Sequence, residues 1–196
     1  MDVTFRPATR DDIPDLARLH VMAAHGLFDA LYHDTIPGLS TSEIYECVLA
    51  RPEGFWSYAR ATVATHAGRV VGEVHSLPYD EIAENPSEDP LIPKDRLVLY
   101  APFEPLHSLA SGTYYINILA VYPEFRSKGI GSQLMTLARS RATQRGFSRL
   151  SLHSFDDPRA VALYQRLGFK VAGRSPLVQH EMLQFAGDLL LMTRSI

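Results

Sequence analysis

The stretch Leu119-Ala120-Val121-Tyr122-Pro123-Glu124-Phe125-Arg126-Ser127-Lys128-Gly129-Ile130-Gly131-Ser132 runs from an apolar, strand-like segment into a helix through a turn holding two glycines. Glycine lets a backbone approach a ligand closely, and the first N–H groups of a helix have no partners within it, so such a turn can receive a phosphate or pyrophosphate. Arg126 and Lys128 add positive charge beside it. Ile130, Leu134, Leu137 and Ala138 give the helix an apolar face at i, i+4, i+7 and i+8, and Arg145-Gly146 supplies a stop. The turn is not a Walker A loop, because Lys128 is followed by Gly129 rather than Ser or Thr and no glycine stands five residues before Gly129. It is not a G-x-G-x-x-G dinucleotide turn either.

Downstream, Asp157-Pro158-Arg159-Ala160-Val161-Ala162-Leu163-Tyr164-Gln165-Arg166-Leu167-Gly168-Phe169 reads as a short helix with its own punctuation. Asp157 suits the N-cap, Pro158 the first helical position and Gly168 the left-handed stop. A strand over Arg149 to Ser154 precedes it, and strands near Phe169 to Val171 and over Asp188 to Thr193 follow. Upstream, Thr4 to Ala8 alternates as a strand and meets the helix-start cluster Thr9-Arg10-Asp11-Asp12 before Ile13, Leu16, Leu19, His20 and Ala23. A second helix is expected from Thr41 or Ser42 through Ile44, Val48 and Leu49, with Cys47 inside it as a core residue rather than a nucleophile. Arg60 to His66 and Arg69 to Ser76, split by Ala67-Gly68, form an antiparallel hairpin. Alternation of strands and helices predicts an α/β layer architecture.

Residues 79 to 112 break the pattern. They hold Pro86, Pro90, Pro93, Pro102 and Pro105, five of the chain's 13 prolines, too many for a central helix or strand. Their acids (Asp80, Glu81, Glu84, Glu88, Asp89, Asp95 and Glu104) outnumber Lys94 and Arg96 seven to two, a local balance of −5. A long loop inside a compact domain is a lid or binding loop, or a bland excursion. Its acidity favours a cationic ligand, such as an amine, by Coulomb steering.

With 196 residues, 46% apolar and 21% charged, the chain is expected to form one domain, 1–196. A net charge of −3 and no block of consecutive Lys or Arg argue against nucleic acid or an anionic membrane as partner. Cys47 is the sole cysteine, so no intramolecular disulfide exists and a reducing compartment, the cytoplasm, is expected. Met1-Asp2-Val3-Thr4-Phe5-Arg6 does not read as a secretory signal, and no apolar run reaches the roughly 20 residues of a membrane span. Eight histidines include no H-E-x-x-H, so no metal is expected.

Val121, Pro123, Arg126, Gly129 and Gly131 fit V-x-P followed by R/Q-x-x-G-x-G/A, and the 157–169 block is similar to N-x-x-A-x-x-L-Y-x-x-x-G-F. In both motifs, and in element order outside 79–112, the chain resembles the GNAT acetyltransferases. The resemblance implies a mixed, mostly antiparallel sheet flanked by helices, with two central parallel strands splayed apart around coenzyme A. It implies backbone contacts from Leu119, Ala120 and Val121 to the pantetheine and thioester. It also implies a pyrophosphate held by Arg126, Ser127, Lys128, Gly129, Ile130, Gly131 and Ser132, and a cofactor-side position for Asp157 where the family carries Asn. Acetyl-CoA is the implied cosubstrate, and the implied reaction is direct acetyl transfer to a small-molecule or protein amine; homodimers are common among such proteins.

Tyr164 matches the family's tyrosine acid, although it shares a helix face with Ala160, Leu163 and Leu167 and packing alone would also explain it. The glutamate that family members often carry before V-x-P is replaced by Asn117, and the second common base position is Leu152. His153, Glu73 and His75 are the nearby titratable residues, with His153 the candidate base. Trp56, with Phe55 and Tyr58, either borders an acceptor pocket or fills a core. A coenzyme A-binding sensor without efficient chemistry is the alternative to an enzyme.

Overall fold

The computed structural model describes residues 1–82 and 89–196. In chain order the elements are β1 (Thr4–Pro7), α1 (Ile13–Ala23), α2 (Leu27–Tyr32), α3 (Thr41–Leu49), β2 (Ala61–His66) and β3 (Arg69–Pro78). They continue with α4 (His107–Ala110), β4 (Tyr114–Val121), α5 (Ile130–Gln144), β5 (Arg149–Phe155), α6 (Pro158–Arg166), β6 (Lys170–Pro176) and β7 (Asp188–Ser195). The seven strands form one sheet in the order β1-β2-β3-β4-β5-β7-β6. Every neighbouring pair is antiparallel except β4 with β5.

The helices take opposite faces. α1 and α3 bury Leu16, Leu19, Ile44, Tyr45, Val48 and Leu49 on the face that also receives Ile118 and Ala120 of β4. α5 buries Ile130, Leu134, Met135, Ala138 and Ala142 on the other, against Tyr114, Ile116, Leu150 and Leu152. Leu137, assigned to the apolar face from its spacing, is 39% exposed. The buried stripe follows i, i+4, i+8 and i+12 with Met135 added, which turns position 137 toward solvent. Cys47 is likewise exposed, a correction to its expected core position. The buried face of α3 is 44, 45, 48 and 49, and a residue between those pairs points outward. Ser40 and Glu43 close a capping box at its start, the Ser40 N–H donating to Glu43 Oε2 at 2.8 Å.

Residues 79–112 form an ordered cover rather than a structureless excursion over the part described. A single 3₁₀ turn spans Tyr79–Glu81, and consecutive 3₁₀ turns over Lys94–Leu106 lead into α4. Pro102 and Pro105 lack the N–H that an α-helix needs, so tighter turns take its place. Ile92, Leu99, Leu106 and Ala110 are the buried side chains by which this segment packs onto the rest of the domain. Three of its acids have internal partners. Asp80 accepts from Ser111 Oγ and Gly112 N, Glu81 from Arg60 and Arg145, and Asp89 from Tyr32 Oη and Arg51. Glu84, Pro86 and Glu88 lie outside the described residues. Among the described residues, no helix is long and apolar enough to cross a membrane.

Candidate active site

β4 and β5 pair over only three rungs, Tyr114 with Leu150, Tyr115 with Ser151 and Ile116 with Leu152. β4 then continues for five residues without β5 beside it. The parting coincides with an irregularity on the opposite edge, where Ile116 faces Ser76 and Ile118 faces His75 although those two β3 residues are adjacent. Asn117 is therefore the extra residue of a β-bulge, a feature that bends its strand and re-aims side chains. Beyond it the β4–β3 ladder is regular, and the N–H of Tyr122 donates to Val71 O. In an antiparallel ladder alternate residues turn both backbone groups to the same side. Tyr122, Ala120 and Ile118 thus spend theirs on β3, while Leu119 and Val121 turn theirs into the opening. Of the three residues expected to contact pantetheine, Ala120 has its backbone groups facing away. Val121 O accepts from Arg126 Nε at 3.0 Å.

The opening ends at the turn before α5. Ser127 and Gly129 are left-handed, with φ of 59° and 81°. That conformation suits Gly129 and strains Ser127, and such strain concentrates at functional sites. Gly129 stands at the N-cap, where no side chain caps the helix. The amides of Ile130, Gly131 and Ser132 precede the first intrahelical bond, from Gln133 N to Gly129 O, so they and the positive end of the helix dipole face outward. Arg126, Ser127, Lys128 and Gly129 are exposed. Lys128 donates from Nζ to Glu124 O at 2.8 Å and lies over the Phe125 ring. Unpaired strand amides, uncapped helix amides and two exposed cations fit the pantetheine and pyrophosphate of a coenzyme A thioester.

α6 closes the β5 side. Asp157 Oδ2 accepts from Ala160 N at 3.1 Å, so this carboxylate is engaged as a cap. Tyr164 packs with Val161 and Leu167 against the α5-side core, and its ring lies 6.0 Å from that of Phe169. Leu163, on the face expected to pack, is exposed. Burial pushes the Tyr164 phenol up to about 12, and among the described residues no hydrogen bond engages its hydroxyl. His153 is on β5, its Nδ1 2.9 Å from Tyr115 Oη and its Nε2 buried without a partner. Burial pushes its pKa down to about 3, with His107 adding to the shift, so the surroundings disfavour the imidazolium that base catalysis would form. Leu152 is buried in the core.

On the other face lies a polar group that periodicity alone does not reveal. His20 of α1 and Glu73 of β3 are both fully buried, with Nε2 and Oε2 3.1 Å apart, and Tyr45 Oη is 3.4 Å from His20 Nδ1. Burial lifts the Glu73 carboxyl well above the usual carboxylate range and lowers His20. A neutral pair satisfies both shifts, with Glu73 donating to Nε2 and Nδ1–H donating to Tyr45. His75, also fully buried, has Nε2 3.3 Å from Ser57 O and Nδ1 3.3 Å from Asn117 Nδ2. Phe55 and Trp56 pack against His75, and Trp56 also meets His20, Phe28 and Tyr45, so these aromatics serve the core. The signal available in the sequence was Glu73 and His75 at strand spacing within an apolar hairpin.

A carboxyl whose native pKa is raised holds its proton when the unfolded chain has lost it, so stability falls as pH rises from the unfolded value of about 4.3 toward the native one. Glu73→Gln keeps a donor toward His20 and removes that loss. The variant is expected to melt at or above the parent temperature at pH 8 and to lose the advantage near pH 4; a variant melting well below the parent at pH 8 would indicate a charged carboxylate.

Residues 22–169 match the acetyltransferase (GNAT) family. The chain belongs to the GNAT acetyltransferase family. It is similar to an N-acetyltransferase from Staphylococcus aureus Mu50, at 18% identity and a TM-score of 0.68 over 97% of this chain and 99% of that one. It is also similar to the PaiA N-acetyltransferase of Thermoplasma acidophilum in complex with coenzyme A, at 14% identity and a TM-score of 0.59 over the whole of both chains. A polyamine N-acetyltransferase from Drosophila melanogaster that forms N-acetylagmatine aligns over the whole of both chains at 15% identity and a TM-score of 0.62. No curated protein matches the chain. Among the described residues, no group of three or more His, Cys, Asp or Glu side chains could hold a metal ion.

Proposed function

We infer that the protein transfers the acetyl group of acetyl-CoA to a primary amine by direct attack in a ternary complex. The observation that carries this reading is the β4–β5 opening, where the backbone groups of Leu119 and the N–H of Val121 face away from β3 and the uncapped start of α5 follows. Pantetheine pairs with those strand groups. The pyrophosphate sits on the amides of Ile130, Gly131 and Ser132, with Arg126 and Lys128 reoriented toward it from their local carbonyl partners.

The amine lone pair attacks the thioester carbonyl carbon, the C–S bond breaks, and the departing sulfur takes a proton from the Tyr164 phenol. The proton lost by the amine nitrogen restores the phenol or leaves to solvent. A phenol held near 12 stays protonated until a thiolate forms beside it, which suits a general acid. His153 remains neutral with Nδ1 engaged by Tyr115, so it takes no proton from the acceptor, which reacts as its free amine. Internal partners for Asp80, Glu81 and Asp89 leave Asp95 and Glu104, among the described acids of the cover, as the exposed carboxylates without a side-chain partner, available for steering a cationic acceptor.

Thiol release from acetyl-CoA in the presence of agmatine, tyramine and an N-terminal peptide amine tests this reading. Stoichiometric acetyl-amine and coenzyme A are expected with at least one of them. Tight acetyl-CoA binding with no amine-dependent release across a broad panel would instead make the protein a sensor.

A further inference from the structure

We propose that Asn117 binds the nitrogen of the acceptor amine through its side-chain Oδ1, and that His75 is the positioning residue that turns the amide to do so. The proposal rests on the acetyltransferase reading above.

The orientation follows from a chain of hydrogen bonds with one consistent assignment. Ser57 O can only accept, so the His75 Nε2 that faces it at 3.3 Å carries the proton. Burial holds His75 well below its ordinary pKa, so the ring is neutral and Nδ1 is a bare acceptor. The partner of Nδ1 must then donate, and the partner is Asn117, which therefore presents its NH₂ at 3.3 Å. That fixes Oδ1 on the side of the amide away from His75. Among the described residues no donor meets Oδ1, and it does not belong to the solvent-inaccessible polar atoms left without a partner.

Position matters as much as orientation. Asn117 is the extra residue of the bulge at which β4 parts from β5, and it is half-buried while His75 beneath it is fully buried. The free oxygen therefore sits where the opening begins, two residues before Leu119. Two residues earlier on the same strand, Tyr115 reaches across the last rungs to His153 of β5. An amide oxygen accepts a hydrogen bond from an amine but takes no proton, so Asn117 aligns the nitrogen without serving as its base.

Kinetics with acetyl-CoA and tyramine or agmatine, for the parent, Asn117→Ala, His75→Leu, His75→Gln and the Ala/Leu double variant, test both roles. Asn117→Ala and His75→Leu are expected to lower kcat/KM for the amine at least tenfold, mostly through KM, with acetyl-CoA Kd unchanged. The double variant is expected to be no worse than either single one. Gln keeps a donor for Ser57 and an acceptor for Asn117, so His75→Gln is expected to recover most of the loss. Full activity in His75→Leu, or additive losses in the double variant, overturns the proposal.

A second measurement needs neither turnover nor a folded Leu variant. In the parent saturated with coenzyme A, tyramine or agmatine is expected to shift the side-chain amide NMR signals of Asn117. Unmoved signals at saturating amine overturn the proposal, whereas failure of the parent to bind acetyl-CoA overturns the acetyltransferase reading beneath it.

Discussion

Gly131→Glu is expected to raise the acetyl-CoA Kd about 30-fold or more in a protein that melts no lower than the parent. Gly131 is the second residue of α5, and a Cβ built there meets only Val121 Cγ2, at 3.9 Å. Replacing a helical glycine gains roughly 0.5–1 kcal/mol, and an acid in the first turn gains a further 0.3–1 kcal/mol from the dipole. Both contributions stabilise the fold. Binding moves the other way, because the carboxylate occupies the positive end that the pyrophosphate needs. Two like charges 4 Å apart repel by about 4 kcal/mol at an effective dielectric near 20, and even half of that after screening is a large loss of affinity. Calorimetric titration with acetyl-CoA and a melting curve check the two halves separately. Unchanged affinity in the variant would remove the α5 terminus from the site.

Tyr164→Phe is expected to lower kcat by about 100-fold, the lower end of what a positioned acid contributes, with acetyl-CoA Kd within about twofold of the parent. The ring keeps its packing against Val161, Leu167 and Phe169, and only the hydroxyl is lost. Its pKa near 12 reflects an apolar setting in which no described partner competes for that hydroxyl. A structural role for the tyrosine would show as a lowered melting temperature with turnover intact. Steady-state kinetics beside a melting curve separate the two, and unchanged kcat would remove the assigned role.

Where local chemistry decides an element, the sequence was sufficient. Asp157, Pro158 and Gly168 bound α6, Gly146 ends α5 with φ of 82°, and Ala67-Gly68 turns the hairpin between β2 and β3. α2 was missed because it follows α1 almost directly, behind a left-handed Gly26 at its N-cap and with no capping side chain. The bulge at Asn117 was illegible because residue alternation records which face a residue takes, not where the pairing register slips. His20 and Glu73 are 53 residues apart, and the bond between them exists only because α1 packs across β3. The acidic balance of 79–112 was countable, yet Asp80, Glu81 and Asp89 are tied up by Ser111, Arg60, Arg145, Tyr32 and Arg51, partners that composition does not reveal.

The cosubstrate site is the centre of the account, and thermal unfolding with acetyl-CoA beside ATP tests it most directly. A ligand that binds only the folded chain stabilises it by about 2.7 kcal/mol at 100 times its Kd. If the β4–β5 opening receives a pantetheine arm, which ATP lacks, acetyl-CoA raises the melting temperature by several degrees and ATP leaves it nearly unchanged. No shift at saturating acetyl-CoA, or equal shifts with both ligands, would contradict the assignment of this opening to a coenzyme A thioester.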